Sequence, residues 1–403
     1  MSEPHFEPAL TKVIHFHSKA INSGAEIAAT SISEGMKRFG GLQSHLEKIE
    51  PKPVALDALW SSLRYRVENT LLGWGFSETI TPTAYCPTLR RGQTDLVHLH
   101  NTYNSGMRIA DIKRLCKQFP LVWTIHDGRW VCWDENPRVG HKKTLRTIGA
   151  RVLFWRLRNA SDNCKVVFPS SWLRRKAIDK KLFPEENTSV IPTPVSVEFF
   201  NVDPTAEEVR MEWGFDLSSP LVLFVSWWAW KKKGDLNKGY DLIEKAIPEI
   251  RKSHRFQFVI LGHDGLDIPE HLKAIWIEPD GTAKQVAHLM KAADFVIGAS
   301  RQEGLGNVIQ EAHAVGTPAV VSNSTGYLEI VDDGLTGLHF QSGNVQDLVD
   351  KSCQLLGNTQ MRRVMSSNAA EKALRLWHPQ VVVRQYRDLY KEAVRTWHLR
   401  TDS

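Results

Sequence analysis

The chain has 403 residues, 42% hydrophobic and 24% charged, with a formal charge of +6. That length exceeds what one ordinary hydrophobic core serves, so two domains of about 200 residues or slightly fewer are expected. The composition excludes a low-complexity or disordered protein. Pro220 to Trp230, the longest apolar-looking run, is about half of the ~20 residues that a membrane-spanning helix needs. No Lys/Arg block resembles a nucleic-acid-binding tail, so nucleic acid is not an expected partner. Glu3 and Glu7 stand where a secretory leader carries basic residues, which points to a cytoplasmic protein. The five cysteines, Cys86, Cys116, Cys132, Cys164 and Cys353, form no Cys-x-x-Cys pair and read as reduced thiols, with no metal site among them.

Strand-like runs alternate with helix-period segments along the whole chain, the pattern of parallel α/β sheets. The first predicted strand, Lys12 to His17, is followed by Asn22-Ser-Gly-Ala-Glu and a helix, and Gly24 there permits close backbone approach to a ligand. Leu56 to Phe76 gathers Leu59, Trp60, Leu63, Tyr65, Leu71, Trp74 and Phe76 with Arg64 and Arg66. Strands follow at Asp95 to His100 and Leu121 to His126, the latter ending on His126-Asp127. His141 to Arg158 reads as a basic amphipathic helix, with Lys142, Lys143, Arg146, Arg151, Arg156 and Arg158 among apolar residues. Strands at Lys165 to Pro169 and Ser189 to Pro192 complete a first domain of residues 1–195. Pro192 and Pro194 then interrupt regular structure, and residues 196–216 are expected as a linker.

A second strand series runs Leu221 to Ser226, Phe256 to Leu261, Ala274 to Ile277, Asp294 to Gly298, Pro318 to Ser322 and Gly337 to Phe340, giving a second domain of residues 217–378. The lysine-rich stretch Trp227 to Asn237 leads to Lys238-Gly239. Ala299-Ser-Arg-Gln-Glu-Gly-Leu-Gly-Asn-Val-Ile-Gln-Glu is the most informative window. A strand end meets a glycine loop at Gly304 and Gly306, and a helix starts near Asn307. Such a loop delivers backbone N–H groups to one point, a natural seat for a diphosphate. Glu303 precedes the helix and Glu311 lies just over one turn inside it, so both carboxylates can face one ligand and accept hydrogen bonds from sugar hydroxyls. The last segments are helices without strands between them, and residues 379–403 form a C-terminal helix expected to pack back on the first domain.

The window from Ala299, its continuation Gly316-Thr-Pro-Ala-Val-Val and the later Glu329-Ile-Val-Asp-Asp-Gly-Leu-Thr-Gly resemble the family 4 retaining glycosyltransferases. Trp123-Thr-Ile-His-Asp is similar to the matching segment of those that build bacterial surface polysaccharides, the colanic-acid transferases among them. The resemblance implies a GT-B fold: two Rossmann-like, doubly wound α/β domains facing each other across a cleft, followed by C-terminal helices. It implies a hexosyl transfer from a nucleotide-sugar to a saccharide or lipid-linked saccharide, in cell-surface polysaccharide biosynthesis, and because the sequence has no Asp-x-Asp signature no metal is expected. A UDP-sugar is the first expectation and a GDP-sugar the second. Among catalytic residues, it implies that Glu303 contacts the donor sugar, that Lys238 neutralises the leaving diphosphate, and that His126 lies beside the transferred sugar. Among donor-binding residues, it implies Gly24, the amides of Leu305, Gly306 and Asn307, and Glu311 at the ribose. The family's usual arginine before Lys238 is missing, and Lys232 or Lys233 stands in its place, Lys233 being taken as the donor-binding one. No cofactor is implied, since the nucleotide-sugar is a substrate. A GT-B nucleotide-sugar epimerase and a non-catalytic nucleotide-sugar-binding protein are the alternatives. The two basic, apolar segments together suggest peripheral attachment at the inner face of the plasma membrane.

Overall fold

The structure is a computed structural model that describes residues 10–18, 24–49, 89, 92, 94–100, 109–126, 128, 131, 164–225, 236–262 and 268–401. The chain divides into two compact units. One comprises residues 1–193 and 382–403, the other residues 194–381.

The first unit is built on six parallel strands: β1 Lys12–Ser18, β2 Gln43–Ile49, β3 Leu96–His100, β4 Leu121–Thr124, β5 Lys165–Phe168 and β6 Thr188–Val190. Their order across the sheet is β2-β1-β3-β4-β5-β6. Helices α1 Gly24–Phe39, α2 Ile109–Gln118 and α3 Ser171–Asp179 connect them. Strand alternation sends Phe16, Leu99, Trp123, Val166 and Phe168 to one buried face and Val13, Leu96, Val122 and Val167 to the other. Residues that continue this second face toward the strands' carboxyl ends are polar: His15 and His17 on β1, His98 and His100 on β3, and Thr124 on β4. All are buried.

The second unit also has six parallel strands: β7 Leu221–Val225, β8 Gln257–Leu261, β9 Ile275–Ile277, β10 Phe295–Gly298, β11 Ala319–Ser322 and β12 Gly337–Phe340. Their order is β12-β11-β10-β7-β8-β9. Numbered within the unit, this is the 3-2-1-4-5-6 order of a dinucleotide-binding sheet, and strand order reverses between β7 and β10. Helices α4 Ala206–Glu212, α5 Tyr240–Arg251, α6 Ala283–Ala292, α7 Asn307–Ala314, the single turn α8 Tyr327–Ile330, α9 Val345–Leu356 and α10 Thr359–Trp377 complete it. Leu221, Leu223, Val259 and Val321 pack on one face of the sheet, and Val222, Phe224, Phe258 and Ile297 on the other.

Residues 196–216, expected as a linker, contain α4, which starts at a Thr205–Glu208 capping box. Phe199, Val209 and Phe215 are buried in the second unit's core, so this segment is part of that unit. The last helix, α11 Pro379–Thr401, passes from one unit's residues to the other's. Its Val382, Val383, Tyr386, Leu389, Tyr390, Ala393 and Val394 join the first unit's core beside Val13, Ile32 and Met36. Among the described residues, no helix is long and apolar enough to cross a membrane.

Candidate functional site

In open parallel sheets, ligands bind beyond the strands' carboxyl ends where the order reverses. In the second unit that point lies between β7 and β10. Lys238 comes from the 3-10 turn Leu236–Lys238 that precedes α5, and its Nζ is 2.5 Å from Oε1 of Glu303, in the loop after β10. Several contacts hold the two loops together. Asn237 donates through Nδ2 to the Gln302 carbonyl at 3.0 Å, and the Arg301 N–H donates to the Asn237 carbonyl at 2.7 Å. Arg301 also grips Asp241 with both guanidinium arms, at 2.8 and 2.7 Å. Gly239 has φ of 73°, and a Cβ there would lie 2.2 Å from the Ala299 carbonyl oxygen, so only glycine allows this approach.

The Glu303 backbone is fixed as well. Its N–H donates to Thr325 Oγ1 at 2.8 Å, and its carbonyl accepts from the Gly326 N–H at 3.2 Å. Gly306 then caps α7 with φ of 108° and no side-chain cap; a Cβ on it would meet the Tyr327 ring at 2.6 Å. The start of α7 is thereby left without a capping side chain, and its N–H groups with the helix dipole suit an anion. Glu311 lies within α7, half-buried, and among the described residues its carboxylate has no hydrogen-bond or ion-pair partner. Burial raises its pKa to about 8. Burial also pushes the Tyr327 hydroxyl far above its ordinary value, with the Glu303 charge a smaller cause.

In the first unit the strand order reverses between β1 and β3, and the histidines stand there. His15 Nδ1 is 3.0 Å from His100 Nε2, and His100 Nδ1 is 3.0 Å from Nε2 of His126, two residues past the end of β4. His98 contacts the Tyr390 hydroxyl at 2.6 Å through Nδ1 and Thr124 Oγ1 at 2.7 Å through Nε2. Nitrogens of His15, His98 and His100 all lie within 4.8 Å of one another, close enough to be considered for one metal ion. Burial is the main cause lowering all three, His15 to about 3 and the other two well below the ordinary histidine value.

The sequence-predicted residues therefore fall into two groups. Lys238, Glu303, Leu305, Gly306, Asn307 and Glu311 come together on the second unit's β10–α7 connection and its neighbour. His126 ends the first unit's histidine row, and Gly24 opens α1. Lys232, Lys233, the basic segment 141–158 and the aromatic segment 56–76 lie outside the described residues. Sequence reasoning missed the Arg301–Asp241 clamp, Thr325 and Tyr327. The only available signals were Asp241, three residues after Lys238, and the run Ser322-Asn-Ser-Thr-Gly-Tyr327 beyond the next strand. It also missed His15, His98 and His100, which gather only once the strands pair.

Residues 67–199 match the family described as Glycosyltransferase Family 4, and residues 207–372 match Glycosyl transferases group 1. An uncharacterized glycosyltransferase of Methanocaldococcus jannaschii is 24% identical over 320 residues, 74% of this chain and 76% of that protein. Among solved structures, sucrose-phosphate synthase of Thermosynechococcus elongatus superposes with a TM-score of 0.68 at 17% identity, covering 95% of this chain and 98% of that one. HepE of Anabaena in complex with UDP gives a TM-score of 0.66 at 16% identity, covering 95% and 100%. These likenesses show the fold.

Proposed function

We propose that this chain, a glycosyltransferase-like protein of GT-B fold related to transferases of sugar nucleotides, moves a hexose-type sugar from a nucleotide-sugar onto a saccharide or lipid-linked saccharide. The observation that carries this reading is the Lys238–Glu303 pair, held at the second sheet's strand reversal and followed directly by the uncapped start of α7. That arrangement suits a nucleoside diphosphate: N–H groups and dipole for the phosphates, a lysine for the charge that grows as they leave, and a carboxylate for sugar hydroxyls. The side chains of Lys238 and Glu303 are 36% and 17% exposed, so the lysine is the more open of the two while the carboxylate still keeps part of its surface for a sugar hydroxyl.

In this reading Glu311 holds the ribose diol, His126 lies beside the transferred sugar, Gly24 lets the backbone approach the donor phosphates or the acceptor, and Lys233 or Lys232 adds a second cation. HepE was crystallised with UDP and with UDP-glucose, which favours a uridine diphosphate donor, with guanosine diphosphate second. The sequence lacks an Asp-x-Asp metal signature, and lysine and amides supply the positive field in its place. Retention of anomeric configuration and a role in surface-polysaccharide synthesis follow from the family 4 likeness and belong to the proposal.

The test is transfer by purified Glu303→Gln and Lys238→Ala chains. Losing a charge-assisted hydrogen bond costs about 1.5 to 3 kcal/mol, so each variant should lose about one to two decades in kcat/KM with unchanged circular dichroism. Wild-type rates in both variants would remove the site. Release of nucleoside diphosphate without any acceptor would speak against transfer as the reaction.

A further inference from the structure

The turn that follows β11 lies along the loop that follows β10 and touches it residue by residue. The hydroxyls of Ser322 and Ser324, both buried, converge on the Ser300 carbonyl. Thr325 Oγ1 accepts the Glu303 N–H at 2.8 Å, and the Gly326 N–H donates to the Glu303 carbonyl at 3.2 Å. A Cβ on Gly326 would lie 2.5 Å from the Leu305 carbonyl oxygen, and one on Gly306 would meet the Tyr327 ring. The turn is thus a template along which the stretch from Ser300 to Gly306 is laid.

Within this template Thr325 is strained. Its φ is 45°, in the left-handed region, where an L residue sets its Cβ against a carbonyl oxygen and a β-branched one is worst placed. Among the described residues, Lys181 and Lys273 are the other non-glycine residues with positive φ. Lys181 follows α3 and Lys273 ends a 3-10 turn, places where this conformation is common. Thr325 ends no helix; it precedes Gly326, the cap of α8. Glycine or asparagine would take such a backbone at lower cost. What threonine adds there is a hydroxyl, and that hydroxyl receives the Glu303 N–H. Strain held in this way by its surroundings is characteristic of ligand clamps and active sites.

We infer, on the reading that Glu303 meets the transferred sugar, that Thr325 is a positioning residue that fixes Glu303 for that sugar and leaves the diphosphate seat to other anchors. Glu303 has its backbone held by Thr325 and Gly326 and its carboxylate by Lys238. Without the Thr325 hydroxyl the Glu303 N–H loses its acceptor, and the peptide between Gln302 and Glu303 is released to turn. A carboxylate displaced by about 1 Å no longer meets its hydroxyl, and misplacements of that size cost up to about a hundredfold. The diphosphate seat has separate supports. Leu305 is buried in the second unit's core, and the Gly306 carbonyl accepts from the Ile309 and Gln310 N–H groups of α7.

The experiment compares the wild-type chain with three variants. Thr325→Val keeps shape and strain without the hydroxyl, Thr325→Ser keeps the hydroxyl, and Thr325→Gly removes hydroxyl and strain together. Calorimetry measures affinity for UDP and for UDP-glucose, or for GDP and GDP-mannose if the wild type prefers guanine, and hydrogen exchange without ligand reads the Glu303 amide. Thr325→Val should lower affinity for UDP-glucose relative to UDP about tenfold and speed exchange at Glu303 about tenfold, with the amides of α7 unchanged. Thr325→Ser should stay within about threefold of wild type in both. Thr325→Gly should lose sugar affinity as Thr325→Val does, although its urea midpoint lies at or above that of Thr325→Val because the strain is gone. Equal loss of UDP and UDP-glucose affinity in Thr325→Val, affinities that follow the urea midpoint across the variants, or an unchanged Glu303 amide would each overturn the inference. Undiminished affinity for UDP-glucose relative to UDP in Glu303→Gln would instead remove the reading that Glu303 meets the sugar, and the exchange result is independent of that reading.

Discussion

Glu311 shows what one residue's surroundings add to its spacing. Its place, seven residues beyond Glu303's neighbour on the same connection, was legible in the sequence; its protonation was not, because that depends on how α7 is covered. With its pKa raised to about 8 by burial, the folded unit keeps this proton between about pH 4.5 and 8 while the unfolded chain releases it. Stability from this group therefore falls as pH rises through that window, and Glu311→Gln should flatten the slope. If Glu311 accepts the ribose hydroxyls as a carboxylate, donor binding must expel the proton. UDP binding at about pH 7 should then release close to one proton, and affinity should climb toward about pH 8 and level off. Calorimetry in two buffers of different ionisation enthalpy measures this directly. Glu311→Gln should show no release from this site and bind about 10- to 100-fold more weakly. Equal proton release in both proteins would remove Glu311 from the ribose.

At the scale of elements, what was legible tracks burial. Strands such as β4, Leu-Val-Trp-Thr, and β11, Ala-Val-Val-Ser, are buried throughout and read as apolar runs. β2, Gln-Ser-His-Leu-Glu-Lys-Ile, lies at the sheet edge with most side chains partly open, and no apolar run announces it. The histidine row was illegible for a related reason: His15 and His100 are 85 residues apart, and only strand order makes them neighbours. α11 supplies the lid on that row. Its buried residues recur every three or four positions from Val382 to Val394, as a helix packing on one face requires. Tyr390 donates to or accepts from His98 at 2.6 Å, whereas Tyr386 meets Thr124 at 3.2 Å. Tyr390→Phe leaves His98 Nδ1 buried without a partner and should destabilise the first unit by about 1 to 3 kcal/mol. Tyr386→Phe should cost less, because Thr124 keeps its bond to His98. Urea unfolding of the two variants tests the order, and equal midpoints would contradict it.

For the molecule as a whole, the two units divide the work that the proposal assigns: the second carries the diphosphate machinery, and the first is left to bring the acceptor. A lipid-linked acceptor is held in a bilayer, and among the described residues no helix is long and apolar enough to cross one, so in this reading the chain comes to the surface by charge and apolar contact. The net charge of +6 is modest, but its distribution is uneven. Arg151, Arg156 and Arg158 lie among Val152, Leu153, Phe154, Trp155 and Leu157, and Arg64 and Arg66 lie among the aromatics of residues 56–76. Each Lys or Arg near an anionic leaflet contributes about 1 kcal/mol, enough for a few of them to hold a peripheral protein reversibly. That attraction is screened as the Debye length falls from about 10 Å at 0.1 M salt to about 3 Å at 1 M. The chain should therefore float with phosphatidylserine vesicles at low salt and be released at about 1 M. Charge reversal at Arg151, Arg156 and Arg158 should weaken flotation while leaving transfer to a free oligosaccharide unchanged, because those residues are no part of the donor machinery. Absence of flotation at low salt, with full activity on soluble acceptors, would confine the chain to acceptors that reach it through solution.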